Sequence, residues 1–187
     1  MFTIVSADTF DELQLDAGVL LSTFNPASPA EPADADIICA TTGGVNPICT
    51  PTFSDFAEDI DNVPNNTMEF LHIDGYDCSL GFSSVKFNAA NVALGIGAAD
   101  ITTATGYKKI TPRSTLATTD FRDLWWVGDK ADGGAVAIRL KNALSTGGLS
   151  ITTTKNGKGN IAMTISGHVS VDNPDDVPME FYIIDAA

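Results

Sequence analysis

Alternation of apolar and polar residues with period two dominates the second half of the chain. Ile161, Met163, Ile165, Gly167, Val169 and Val171 share one parity, while Thr164, Ser166, His168 and Ser170 share the other, the pattern of a half-buried strand. Val136, Ile138 and Leu140 alternate in the same way with Ala137, Arg139 and Lys141, and Met179, Phe181 and Ile183 repeat the pattern near the C-terminus. Segments of this kind predict an antiparallel sheet. Turn residues separate them. Lys155-Asn156-Gly157-Lys158-Gly159 joins a strand over 149–154 to one over 160–171, and Asn-Gly is a strong hairpin signal. Asp129 to Gly134 links a strand over 121–128 to one over 135–144, and Thr146-Gly147-Gly148 ends the latter.

The first half is less regular. Residues 18–24 read as a strand, 25–36 as a Pro/Ala/Asp connector, and 37–42 and 48–53 as extended segments parted by Gly43-Gly44. Residues 53–67 carry Asp55, Glu58, Asp59, Asp61, Pro64 and three asparagines, which predicts a long polar loop, and loops of that length are functional or disordered. Residues 69–87 return to strand chemistry. Tyr76, Cys78, Leu80 and Phe82 share a parity, with a β-bulge expected at Asp74-Gly75, where the apolar parity changes. A helix is expected over 88–99, capped by Asn88 and weakened by Gly95 and Gly97. The elements add up to one mainly β domain over 1–187: an antiparallel β-sandwich with one flanking α-helix, an N-terminal arm over about 1–14 and a long loop over 53–67.

Charge changes this picture. Residues 1–85 hold fourteen Asp and Glu and no Lys or Arg, whereas residues 86–187 hold ten acids and ten bases, so the whole net charge of −14 belongs to the first part. A pI near 4.1 opposes a role in gripping nucleic acid or an anionic membrane, both of which require clustered cations. Residues 1–17 include four acids and no basic leader, and no run approaches ~18 apolar residues, so neither a signal peptide nor a spanning helix is expected. Cys39, Cys49 and Cys78 are odd in number and lack CxxC spacing, which favours reduced, partly buried thiols over a disulfide framework.

Candidate chemistry is sparse. His72 and His168 lie in expected strands without a nucleophile pattern nearby, so no catalytic residue is assigned and the chain is not expected to be an enzyme. The acid clusters lack EF-hand spacing, so no metal ligand or cofactor is assigned either. Trp125-Trp126 places one indole on each face of a strand, as core plus interface or as a carbohydrate platform. A β-rich domain without a site, with a long acidic loop and spare apolar positions, points to an assembly subunit.

Read in order, several stretches resemble the major tail (tail tube) proteins of long-tailed phages, of the siphophage type from Gram-positive hosts. They are Asp16 to Leu21, Ala40 to Gly44, Thr50 to Asn62, Ile110 to Arg113, Asp120 to Asp129, Lys141 to Gly148 and Val177 to Ile183, and the resemblance spans about 15–184. It implies a tail-tube β-sandwich in sixfold rings that stack into a hollow tube, part of the virion tail and assembled in the host cytoplasm. DNA would pass through the lumen without tight binding, and tape measure and tail-end proteins would be partners besides the chain itself.

On this reading the stacking contact is the 53–67 loop, with Phe53, Phe56 and Ile60 as anchors among Asp55, Glu58, Asp59, Asp61 and Pro64, ordering on assembly. Arg113, Arg122, Trp125, Trp126 and His168 are candidate subunit contacts, and Lys108 and Lys109 could pair with a neighbour's acids. The alternatives are a carbohydrate-binding β-sandwich with a calcium-ordered acidic loop, and a capsid decoration or head-tail joining protein.

Overall fold

The computed structural model describes Ser6 and residues 8–186. Its strands are β1 (Val19–Leu21), β2 (Ile37–Cys39), β3 (Thr41–Asp55), β4 (Leu71–Ser84), β5 (Ala99–Ala104), β6 (Tyr107–Pro112), β7 (Arg122–Asp129), β8 (Ala135–Ser145), β9 (Ser150–Thr152), β10 (Asn160–Ser166) and β11 (Met179–Ile184), with helix α1 (Ala89–Ile96) between β4 and β5. The chain is mainly β, and every strand pairing is antiparallel. No described helix is long and apolar enough to cross a membrane.

Two layers form a β-sandwich around one core. The first layer runs β2-β1-β7-β8-β11 and the second β10-β4-β3, with β9 beside β10. Leu20, Leu124, Trp126, Ile138, Leu140 and Met179 from the first layer meet Cys78, Leu80, Phe82, Ile161, Met163 and Ile165 from the second. This is the alternation read from the sequence, realised as two facing apolar surfaces.

Strand β8 belongs to both layers. Its first half lies between β7 and β11, while Leu144 and Ser145 pair with β10. The change of layer occurs at Asn142, whose φ of 45° bends the strand. Asn142 donates its N–H to Asp123 Oδ1 at 3.2 Å and its side-chain amide to the His168 carbonyl at 2.9 Å. The Asn142 carbonyl can only accept, so His168 Nδ1 carries the proton of their 3.1 Å bond. Asparagine suits the position because it tolerates a left-handed backbone better than most residues do.

Helix α1 forms where the sequence places it, and the Asn88 side chain accepts from the Asn91 N–H at 2.7 Å. The glycines that weaken it serve other purposes. A Cβ on Gly95 would lie 2.7 Å from Leu149, and Gly97 ends the helix at φ 90°.

The structure differs from the sequence reading in several places. Residues 41–55 form one strand through Gly43-Gly44, both at positive φ, where the pairing shifts register instead of breaking. The hairpin β5–β6 lies outside the elements read from the sequence, although Thr105-Gly106 after the β-branched run Ile101-Thr102-Thr103 is a turn signal. Strand β10 ends at Ser166 instead of residue 171, and Val171 beyond it is 92% exposed. Gly167 still donates its N–H to the Cys78 carbonyl of β4 at 2.9 Å, packed against Leu140 and Pro178 with no room for a Cβ, and His168 then turns to donate to the Lys141 carbonyl at 3.3 Å. Met179 is buried, but Phe181 and Ile183 on the same parity are exposed at the open edge of the first layer.

The N-terminal segment lies on the body. Ala131 and Asp132 donate to the carbonyls of Leu13 and Asp11, and Leu15 donates to that of Asp129; the rest of the expected arm, residues 1–5 and 7, is outside the described residues.

The outer face of the first layer carries a second cluster, Leu21, Trp125 and Ala137, with Phe24 and Tyr182 beside the indole. Arg139 lies over the Trp125 ring and bridges Asp123 and Glu180, while Lys141 bridges Glu180 and Asp176. Burial pushes the Glu180 carboxyl up, but hydrogen bonds from Lys141 and Tyr182 and the charges of Lys141 and Arg139 outweigh it, so it sits below its ordinary value. A depressed carboxyl stabilises the fold above its unfolded pKa, and that contribution disappears as pH falls through the folded value. Glu180→Gln is therefore expected to melt below the parent at neutral pH. The gap should close as pH falls from the ordinary carboxylate range, about 4.3, which thermal melts across pH would measure.

Candidate assembly interface

Strands β3 and β4 are paired over their full length, from Thr41↔Ser84 to Asp55↔Leu71. β10 covers β4 only from Ser79 to Ser84. Beyond Cys49 and Cys78 the pair continues as a two-stranded ribbon, roughly 20 Å long at the usual rise per residue, with no third strand on either edge among the described residues. This ribbon and the loop at its end form an arm.

The arm is sided. Register places Pro51 opposite Tyr76, Phe53 opposite Ile73 and Asp55 opposite Leu71, all on the face that carries Cys78, Leu80 and Phe82 into the core. Thr50, Thr52, Ser54, His72 and Asp77 take the other face, where Ser54 Oγ donates to Asp74 Oδ2 at 2.6 Å. The expected bulge makes this possible. Thr52 pairs with Gly75 and Phe53 with Ile73, so Asp74 is the extra residue, and both Asp74 and Gly75 fall on the polar side. Without it, Ile73 would turn to the polar face and Asp74 to the apolar one. The bulge thus extends the core's apolar face outward, where nothing among the described residues covers it: Phe53 is 51% exposed, and Leu71, Ile73 and Tyr76 are also exposed.

The loop at the tip is closed by its own hydrogen bonds. It begins at Phe56 rather than at residue 53, because β3 runs on through Asp55. The Asp55 carboxylate accepts from the Ala57 N–H at 2.9 Å and from the Asn66 N–H at 2.7 Å, and the Pro64 carbonyl accepts from Thr67 Oγ1 at 2.6 Å. Asn62 and Asn66 supply the positive-φ positions. Within the single chain the Asp55 carboxylate, at the end of β3, thus ties the two ends of the loop together. Ala57 is buried beneath the loop, whereas Phe56, Ile60, Met68, Glu58, Asp59, Asp61 and Pro64 are exposed.

Charge is segregated in space as in sequence. Every ion pair among the described residues joins partners numbered 100 or higher. The fourteen acids of residues 1–85, seven of them on the arm, therefore have no ion-pair partner among the described residues. On the other side, Lys86, Lys108, Lys109, Arg122, Lys155 and Lys158 are exposed and make no ion pair among the described residues.

The remaining candidates fare unequally. Trp125 and Trp126 are 6% and 8% exposed, one in each cluster, so neither indole is presented to a neighbouring subunit or a sugar. Trp126 Nε1 donates to the Ala17 carbonyl. His168 is half-buried, edge-on to Phe121 and bonded to Asn142, which makes it part of the β8 bend. Arg113 is held by its own Asp100 and Asp120, while Arg122 stays exposed and unpaired. Among the described residues no three His, Cys, Asp or Glu side chains gather as a metal site. Sequence reading missed Leu71, Ile73 and Tyr76 as surface residues because strand periodicity shows a shared face and cannot show where the opposing sheet ends.

If Asp55 organises the tip, Asp55→Ala should speed amide hydrogen exchange at Ala57 and Asn66 by roughly tenfold, the loss of a hydrogen bond to a charged group, while Leu80 and Ile165 stay protected. Compared with models of known protein families and with curated proteins, the chain matches none, and what the arm does is read from its own geometry and charge.

Proposed function

We propose that this chain is a structural subunit that assembles with copies of itself into stacked rings, forming the hollow tail tube of a long-tailed phage through which DNA is delivered. The observation that carries the reading is the one-sided arm. A free two-stranded ribbon is marginal in water, and one with an uncovered apolar face is more so. A second copy supplies what the arm lacks: apolar surface for Phe53, Leu71, Ile73 and Tyr76, and cations for acids that have none at home. The exposed Lys108 and Lys109 on β6, with Ile101 and Tyr107 beside them, combine both properties on one hairpin.

Open strand edges support the ring. β11 pairs only with β8 and exposes Phe181 and Ile183, so a neighbouring strand added there would cover both and satisfy the free backbone groups. Pairing that closes on itself leaves no edge to aggregate. The lumen follows from charge: unpaired acids facing the axis repel phosphate, so DNA in transit meets no adhesive wall. Tape measure and tail-end proteins are the partners such a tube requires, and the virion tail is its location.

Phe53→Asp combined with Ile73→Asp tests the reading by placing two carboxylates on the apolar face without touching the core. Each anchor contributes about 1.5–3 kcal/mol when fully buried, so the concentration needed for assembly should rise at least about 100-fold. Negative-stain images should show tubes from the parent and from a Thr50→Asp, Thr52→Asp control on the polar face, and none from the double variant at the same concentration. Tubes formed equally well by the double variant would contradict the proposal.

A further inference from the structure

Cys49 and Cys78 stand directly opposite one another where the arm leaves the sandwich, with their sulfur atoms 3.2 Å apart. Pro47 and Pro51 flank Cys49 on the same parity and have no N–H to give to β4, so residues of this parity form the non-hydrogen-bonded pairs of the ladder. In such pairs the Cα atoms are about 4.5 Å apart and the side chains approach most closely. That spacing lies inside the range a disulfide spans, and closing the bond requires the sulfurs to approach by only about 1.2 Å. Cys39 is buried on β2, in the other layer.

We propose that Cys49 and Cys78 form an oxidation site, closing an intrachain disulfide that ties β3 to β4 at the root of the arm. The oxidant is a low-molecular-weight disulfide. Cys49, the more accessible of the two, attacks one of its sulfurs as the thiolate and releases one equivalent of small thiol, leaving a mixed disulfide on Cys49. Cys78 then loses its proton, attacks Cys49 Sγ and expels the second small thiol. Two protein thiols lose two protons and two electrons, and the reagent's sulfur–sulfur bond is reduced to two thiols. Burial first, and then the hydrogen bond and charge of Cys49, push the Cys78 thiol up to about 12; the burial persists once Cys49 is capped, so the second step accelerates as pH rises.

The bond would enclose the whole distal ribbon and its loop, because the two cysteines are 29 positions apart. A tie of that span restricts the unfolded chain and holds the arm's strands in register whether or not anything is docked on them. The proposal is independent of what the arm docks onto.

The test uses the full chain with oxidised glutathione. Intact mass should fall by two hydrogens, thiol titration should drop from three to one, and peptide mapping should link Cys49 to Cys78 with Cys39 free. Cys39→Ser should close the same bond, whereas Cys49→Ser should close none. Hydrogen exchange in the arm, from Phe53 to Tyr76, should be slower in the oxidised parent than in the reduced one. A stable glutathione adduct on Cys49, a link that includes Cys39, or three thiols that all survive would overturn the proposal.

Discussion

The bend in β8 at Asn142 is the constraint on which the rest of the molecule depends. One strand serves two layers, and the left-handed residue at the change of layer is held by Asp123 on one side and by His168 on the other. The bend brings β10 beside the end of β8, and β10 in turn fixes β4 as an interior strand of the second layer. Because β10 is short, it reaches only as far as Ser79, and the remainder of β4 overhangs with β3. The arm is thus the unmatched length of two long strands laid against a short one, and its apolar face is the core face continued past the point where the core ends.

Charge and apolar surface then act together. Lysines and arginines after residue 99 are partly consumed by nearby acids, as Arg139 and Lys141 are over Trp125 and β11, while the acids before residue 86 have no such partners among the described residues. A solitary chain carries repulsion within its acidic part and exposed aromatic residues on its arm, two costs that contact with a second copy would relieve at once. Exposed ion pairs are individually weak, so the apolar anchors would supply most of the attraction and the charges would set orientation and approach.

Much of the fold was legible because strand periodicity and turn chemistry are local. The alternation of Ile161, Met163 and Ile165, the Asn156-Gly157 turn, the Asn88 cap and the bulge at Asp74 all appear where the residues place them. The misplaced features depend on how far a partner strand extends. Val169 and Val171 follow the end of β10, and Phe181 and Ile183 line the open edge of the first layer; all four are exposed despite their core parity, and no local pattern reports those boundaries. Trp125 is the converse case. It lies on the outer face yet is covered, because Phe24, Tyr182 and Arg139 converge on it from distant parts of the chain. The nearness of Cys49 to Cys78 likewise needed the register of β3 against β4, which only the paired strands supply.

Sedimentation velocity of the purified chain across a wide concentration range is the sharpest test of the proposed self-assembly, in which a second copy covers the apolar face of the arm and pairs its acids. Sedimentation coefficients should climb with concentration from monomer to large closed or stacked species. A single monomeric boundary at every concentration would contradict it.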